Sequence, residues 1–137
     1  MTSINEFNRK VIDEFRANDG KVSGPFERAP LLLLTTTGAR SGESRTNPLA
    51  FTRDGDDLVV IASKGGAPSS PDWYHNLVAH PDVTVELPGE TFSARARVAE
   101  EPERTRLYDA QATLLPNFVE YAQKTERSIP VVVLERV

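Results

Sequence analysis

Cysteine is absent from this chain of 137 residues. That removes disulfide frameworks, thiol nucleophiles, thiolate zinc sites and iron–sulfur ligation together, and it fits a reducing compartment such as the cytoplasm. Apolar runs are short. The longest cover 31–34 and 129–134, the second interrupted by Pro130, far below the roughly 20 residues of a membrane span. The start, Met1-Thr2-Ser3-Ile4-Asn5-Glu6, has no basic patch leading into an apolar stretch, so no secretory signal is expected. Bases are outnumbered, 16 Lys and Arg against 20 Asp and Glu for a net charge of −4. A general nucleic-acid binder needs the opposite balance. Histidine is scarce: His75 and His80, five apart with no acid between them, make a poor metal pair and read as surface residues near a helix end. No G-x-S-x-G elbow, Walker loop or G-x-G-x-x-G occurs.

What is present is a globular balance, 39% hydrophobic and 26% charged. The length suits one domain over 1–137, which would bury roughly 65–70% of the surface its unfolded chain exposes. Ile4, Phe7, Val11, Ile12 and Phe15 recur at helical spacing and predict an amphipathic helix within 1–20, stopped by Asn18-Asp19-Gly20. It reads as a lid on the domain; the alternative is a peripheral contact with the inner face of the membrane, which its mixed charges disfavour. Ser23-Gly24-Pro25 reads as a turn. Strands are expected over 31–36, 46–53 and 58–63, the last two joined by an Asp54-Gly55 hairpin. A helix opens after Ser70 as N-cap with Pro71 first, and ends at His80-Pro81. Strands over 83–87 and 91–98 flank Pro88-Gly89; a helix from Pro102 to about 115 meets Pro116 and continues to Tyr121; a last strand covers 129–135. Strands joined by hairpins, with helices not alternating one for one, predict an α+β fold: a mostly antiparallel sheet or small barrel with helices packed outside.

Two stretches carry candidate chemistry. Gly38-Ala39-Arg40-Ser41-Gly42-Glu43-Ser44-Arg45-Thr46-Asn47-Pro48 gathers glycines, hydroxyls and two arginines in a loop between strands. Glycine lets backbone N–H groups turn to a ligand, and arginine offers a planar fork to phosphate or carboxylate. The alternative is a polar hairpin loop. The second stretch, Ala62-Ser63-Lys64-Gly65-Gly66, leaves an apolar strand and is followed by Pro71-Asp72-Trp73-Tyr74-His75-Asn76. Gly65-Gly66 permits close approach to a flat ligand, and Trp73, the sole tryptophan, is either a groove wall or a cap on the core. Pairing 46–53 with 58–63 would set both loops at one end of the sheet.

These motifs, with Thr35-Thr36-Thr37, Leu49, Ala67, Leu77, Pro81 and Ile129-Pro130-Val131-Val132-Val133, resemble the deazaflavin (F420)-dependent nitroreductase family of actinobacteria over nearly the whole chain. The resemblance implies a split β-barrel over 31–137, related to flavin-binding reductases. It implies coenzyme F420, an 8-hydroxy-5-deazaflavin with a phosphate and an oligoglutamate tail. It implies that Arg40, Ser41 and Arg45 hold the phosphate and tail carboxylates, and that Asn47 and Pro48 line the groove. Ala62, Ser63, Lys64, Gly65 and Gly66 would run along the ring and its side chain, and Trp73 and Asn76 would close the groove. Ser63 would steady developing negative charge on the acceptor, and Tyr121 would be the acceptor-side proton donor or a packed aromatic. Where the nitroimidazole-activating member carries several tyrosines, this sequence reads Leu115, Phe118 and Tyr121, so a more apolar acceptor pocket is expected. The activity implied is hydride transfer from reduced F420 to a small electron-poor acceptor: a quinone, an enone or a nitroaromatic. A non-catalytic deazaflavin carrier, FMN in the same groove, and a barrel for another apolar ligand are the alternatives; a homodimer is a further expectation.

Overall fold

The structure, a computed structural model, describes residues 3–18, 31–62, 71–114 and 129–137. The expected turn at 23–25, the cap at Ser70, the Ser63–Gly66 stretch and the segment carrying Leu115, Phe118 and Tyr121 lie outside these residues. Helix α1 spans Ser3–Ala17, followed by β1 (Leu31–Thr37), β2 (Ser44–Ala50), β3 (Thr52–Asp54) and β4 (Asp57–Ile61). Then come α2 (Asp72–Ala79), β5 (Asp82–Leu87), β6 (Glu90–Val98), α3 (Glu103–Leu114) and β7 (Val131–Arg136). The strands form one antiparallel sheet in the order β2-β1-β5-β6-β7-β4-β3. It is curled as a split barrel, as the resemblance implied.

Which strands a helix covers follows from their patterning. In β1, β4 and β7 the apolar residues are consecutive, because both faces are buried. Leu32, Leu34, Leu58, Val60, Val132 and Leu134 point into the barrel core. Their neighbours Val59, Ile61, Val131 and Val133 meet Leu107, Tyr108 and Ala112 of α3 on the outside. Leu31 and Leu33 meet Val11 and Phe15 of α1. Strand β5 instead alternates, burying Val83, Val85 and Leu87 while Asp82, Thr84 and Glu86 face outward, the pattern of a sheet with one solvated face.

The expected strand over 46–53 is two strands. Residues 44–50 pair with β1, Phe51 is buried in the core, and 52–54 pair with β4. Its halves therefore lie at opposite edges of the sheet, because the curl of a split barrel needs the chain to change partners there. One hairpin therefore does not join the two candidate stretches, since only the short second half pairs with β4. Pro48 is tolerated because β2 is an edge strand, where a missing N–H breaks no ladder. Helix α2 starts one residue later than expected, with Pro71 as its cap rather than its first residue.

Helix α1 commits Val11 and Phe15, 6% and 3% exposed, to the outer face of β1. This supports the lid; the side chains of Ile4 and Phe7 lie outside the description. Among the described residues no helix is long and apolar enough to cross a membrane.

Candidate active site

The arginine-bearing loop is the short connection between β1 and β2, with Ser44 and Arg45 already in the strand. It is held tightly. Gly38 N–H donates to the Glu43 carbonyl (2.8 Å) and Gly42 N–H to that of Gly38 (3.0 Å). A Cβ on Gly38 would stand 2.5 Å from Ser41 Oγ and 3.3 Å from the Glu43 carbonyl oxygen, and Gly42 sits at φ +71°. Gly42 therefore requires glycine, and a side chain at Gly38 would have to displace the Ser41 hydroxyl. Ser41 Oγ accepts from Glu43 N–H at 3.2 Å, so this hydroxyl shapes the turn and keeps its proton for a further acceptor.

Helix α2 pins the loop from within. Ala39 N–H donates to Asn76 Oδ1 (3.0 Å), and Asn76 Nδ2 donates to Thr36 Oγ1 (3.2 Å). Asn76 and Thr36 are 8% and 2% exposed, so the bond between them is buried, while the bond from Ala39 lies at the edge of the cleft. Asn76, expected to close the groove, is primarily the clamp that fixes the backbone beside Arg40. Trp73 is both things the sequence allowed: it packs into the barrel core with Leu32, Leu34 and Leu77, and it also lines the cleft.

That cleft is open, with a volume of about 1150 Å³. Gly38, Ala39, Arg40 and Ser41 of the loop line it with Ser44, Arg45, Thr46 and Asn47 of β2. Asp72, Trp73, His75 and Asn76 of α2 form another side. The first turn of α2 opens here with no side-chain cap, which leaves N–H groups suited to an anion. A further wall was not foreseen: Arg9, Ile12, Asp13 and Arg16 of α1. Their spacing of three, four and seven places them on one helical face, a spacing present in the sequence, where the helix reads only as a lid. Four arginines thus face two aspartates, Asp13 and Asp72, in a chain of net charge −4. Arg45 is paired with Glu43 at 3.1 Å, and Arg16 is held by Glu86, whose carboxylate raises the pKa of its guanidinium. Arg9 and Arg40 make no ion pair among the described residues. Guanidiniums around a roomy cleft, two of them without an ion pair among the described residues, with hydroxyls of Ser41, Ser44 and Thr46, fit a ligand carrying several negative charges.

Not every expected residue is on this wall. Pro48 is buried on β2 and Ala62 is fully buried in the core cluster, its N–H donating to the Pro130 carbonyl at 3.0 Å. Neither is among the residues lining the cleft. Among the described residues no group of histidines and acids could hold a metal ion.

Residues 7–136 match the family model described as F420H(2)-dependent quinone reductase. The chain is 40% identical over 126 residues to an F420H(2)-dependent quinone reductase of Mycobacterium tuberculosis, covering 89% of this chain and 85% of that one. A solved F420-H2-dependent reductase, FDR-A, superposes with a TM-score of 0.72 at 38% identity, over 77% of this chain and 94% of that one. A domain-swapped dimer superposes with a TM-score of 0.74 at 32% identity, over 96% and 98%. The motif resemblance, the split barrel and a match along nearly the entire chain agree: this chain belongs to the F420H(2)-dependent quinone reductase family.

Proposed function

We propose that this protein is an oxidoreductase that delivers a hydride from reduced coenzyme F420, with a proton, to a quinone, giving the hydroquinone. The observation that carries the reading is the arginine-walled cleft of about 1150 Å³, whose Arg40 has no ion pair among the described residues and stands beside a backbone fixed by Asn76. Phosphate and oligoglutamate carboxylates supply the charges that such a wall needs. The hydride belongs to the cofactor, and the protein's part is to bind, orient and shield it. Arg40 and Arg45, with Ser41, would hold the phosphate and tail, and Asn47 and Trp73 would border the groove. Ser63, Lys64, Gly65 and Gly66 would lie along the ring, with Ser63 donating to the acceptor oxygen as charge develops on it. Leu115 and Phe118 would give the acceptor an apolar bed and Tyr121 a proton. Enones and nitroaromatics are further acceptors by this reading. A homodimer is supported by the solved relative that is a domain-swapped dimer.

Titration of the full chain with F420 and with FMN, followed by stopped-flow oxidation of the reduced cofactor with and without a quinone, tests this. F420 should bind with a Kd near ~1 μM, about −8 kcal/mol, and FMN at least roughly tenfold more weakly. Quinone should accelerate oxidation, and Ser63→Ala should slow that step roughly tenfold while leaving affinity within about threefold. FMN binding as tight as F420 would overturn the cofactor assignment. Tight F420 binding with no acceleration by quinone would make the protein a carrier.

A further inference from the structure

We propose that α1 is a working wall of the polyanion site, in which Arg9 binds a carboxylate of the cofactor's acidic tail and Asp13 limits how far along the helix that tail can lie. The inference rests on the F420 reading above and adds to it a helix and a residue that neither the sequence motifs nor the loop supplied.

The orientation of α1 about its own axis is fixed at two points. Val11 and Phe15 are buried against Leu31 and Leu33. Arg16 Nε and Nη2 bind the two carboxylate oxygens of Glu86 on β5 at 3.0 and 2.7 Å. Arg16 lines the cleft, but its donors toward Glu86 are engaged, so it is a positioning residue. With these contacts set, the stripe of Arg9, Ile12, Asp13 and Arg16 must face the cleft. Arg9 lies about two turns before Arg16, ~10 Å along the axis. It is exposed and has no ion pair among the described residues.

Arg9 and Arg40, neither in an ion pair among the described residues, therefore bring two positive charges to one cleft from separate elements. A single phosphate held by the Arg40 loop needs only one wall. An extended chain of carboxylates leaving that phosphate needs further cations along its path, and α1 offers one. Asp13 follows Arg9 by one turn on the same stripe. Its carboxylate repels a tail that continues toward Arg16, so the helix favours a tail ending near Arg9.

The test uses three probes in fluorescence titrations of the full chain: intact F420, its phosphate-bearing fragment without glutamates, and the deazaflavin with neither phosphate nor tail. Arg9→Gln should weaken intact F420 roughly five- to tenfold and leave both fragments within about twofold of wild type. Arg9→Lys should recover much of the loss. Asp13→Asn should tighten intact F420 and leave the fragments unchanged. The salt dependence of intact F420 binding should become shallower in Arg9→Gln. Thermal melts of each variant should match wild type, since both side chains are exposed. Unchanged affinity of Arg9→Gln for intact F420, or equal weakening of the phosphate-bearing fragment, overturns the role of Arg9 while leaving the cofactor assignment standing. Failure of wild type to bind any of the three probes removes the cofactor assignment and this inference together.

Discussion

Arg40 and Asn76 lie in one site and do different work, and substitution separates them. Arg40 is exposed, so its removal should leave the fold intact and take away a charge-assisted contact worth roughly 1.5–3 kcal/mol. Arg40→Ala should weaken F420 binding about tenfold or more, with the hydride rate at saturating cofactor little changed. Asn76→Ala strips a partner from the part-buried Ala39 N–H and from the buried Thr36 hydroxyl. It should cost about 1–3 kcal/mol in stability and weaken the cofactor through a loosened loop. Denaturant melts and titrations on the same samples report both. Lost affinity in Asn76→Ala at unchanged stability would make Asn76 a direct ligand instead of a clamp. The arginines were legible from the loop's composition. The clamp was not, because Asn76 is 37 residues from Ala39 and no local rule joins them.

At the scale of elements, α1 and the 44–54 stretch carry the lesson. An amphipathic helix with arginines on its polar face is compatible with a membrane surface or with a protein surface. What decides is the apolar stripe on β1, 31–34, whose outward residues Leu31 and Leu33 need a cover. Each large apolar side chain so buried contributes roughly 1.5–3 kcal/mol. Phe15→Ala should cost about 3–5 kcal/mol at its contact, enough to free α1 locally while the sheet keeps its own core. Hydrogen exchange should then show α1 amides losing protection while those of β4 and β7 keep theirs. Equal loss in all three would mean that α1 is part of the cooperative core. The Asp54-Gly55 turn was legible, since Gly55 at φ +62° is a local requirement. The division of 44–54 between two sheet edges was not, since it depends on β5, β6 and β7, distant in sequence, coming between β1 and β4.

Across the whole molecule, charge is partitioned. The cleft is basic within an acidic chain, while the β3–α3 side carries ion pairs. Arg106 lowers the Asp54 carboxyl below its ordinary 3.8, chiefly through a hydrogen bond, and Arg97 likewise lowers Glu103 below 4.5. Both pairs contribute stability that is present above those ordinary values and lost as pH falls through the lower folded-state values. Asp57 acts oppositely: burial, then Glu135, raises its pKa above 3.8, so its contribution is largest at low pH and declines as pH rises through the raised value. The thermal midpoint should be flat from pH 7 to about 5 and fall below about 4.5, with the Asp57 effect softening the drop. Arg97→Gln should flatten the part owed to Glu103, and an unaltered acid limb in that variant would show that the pair carries no linkage.

The sequence by itself determined most of the strands, the turns at Gly55 and Gly89, and the composition of the arginine-bearing loop. Each of these is settled by contacts within a few residues: side-chain alternation, positive φ, and the donors of one short segment. The motif content was also enough to point to the family. Only the tertiary structure decided that β2 and β3 part at Phe51, that Asn76 holds the Arg40 loop, and that α1 turns Arg9 into the same cleft. Those depend on meetings across long stretches of chain, β1 with β5, β4 with β7, α2 with the Arg40 loop and α1 with the cleft, and their energy comes from burial and pairing that do not exist until the barrel has closed.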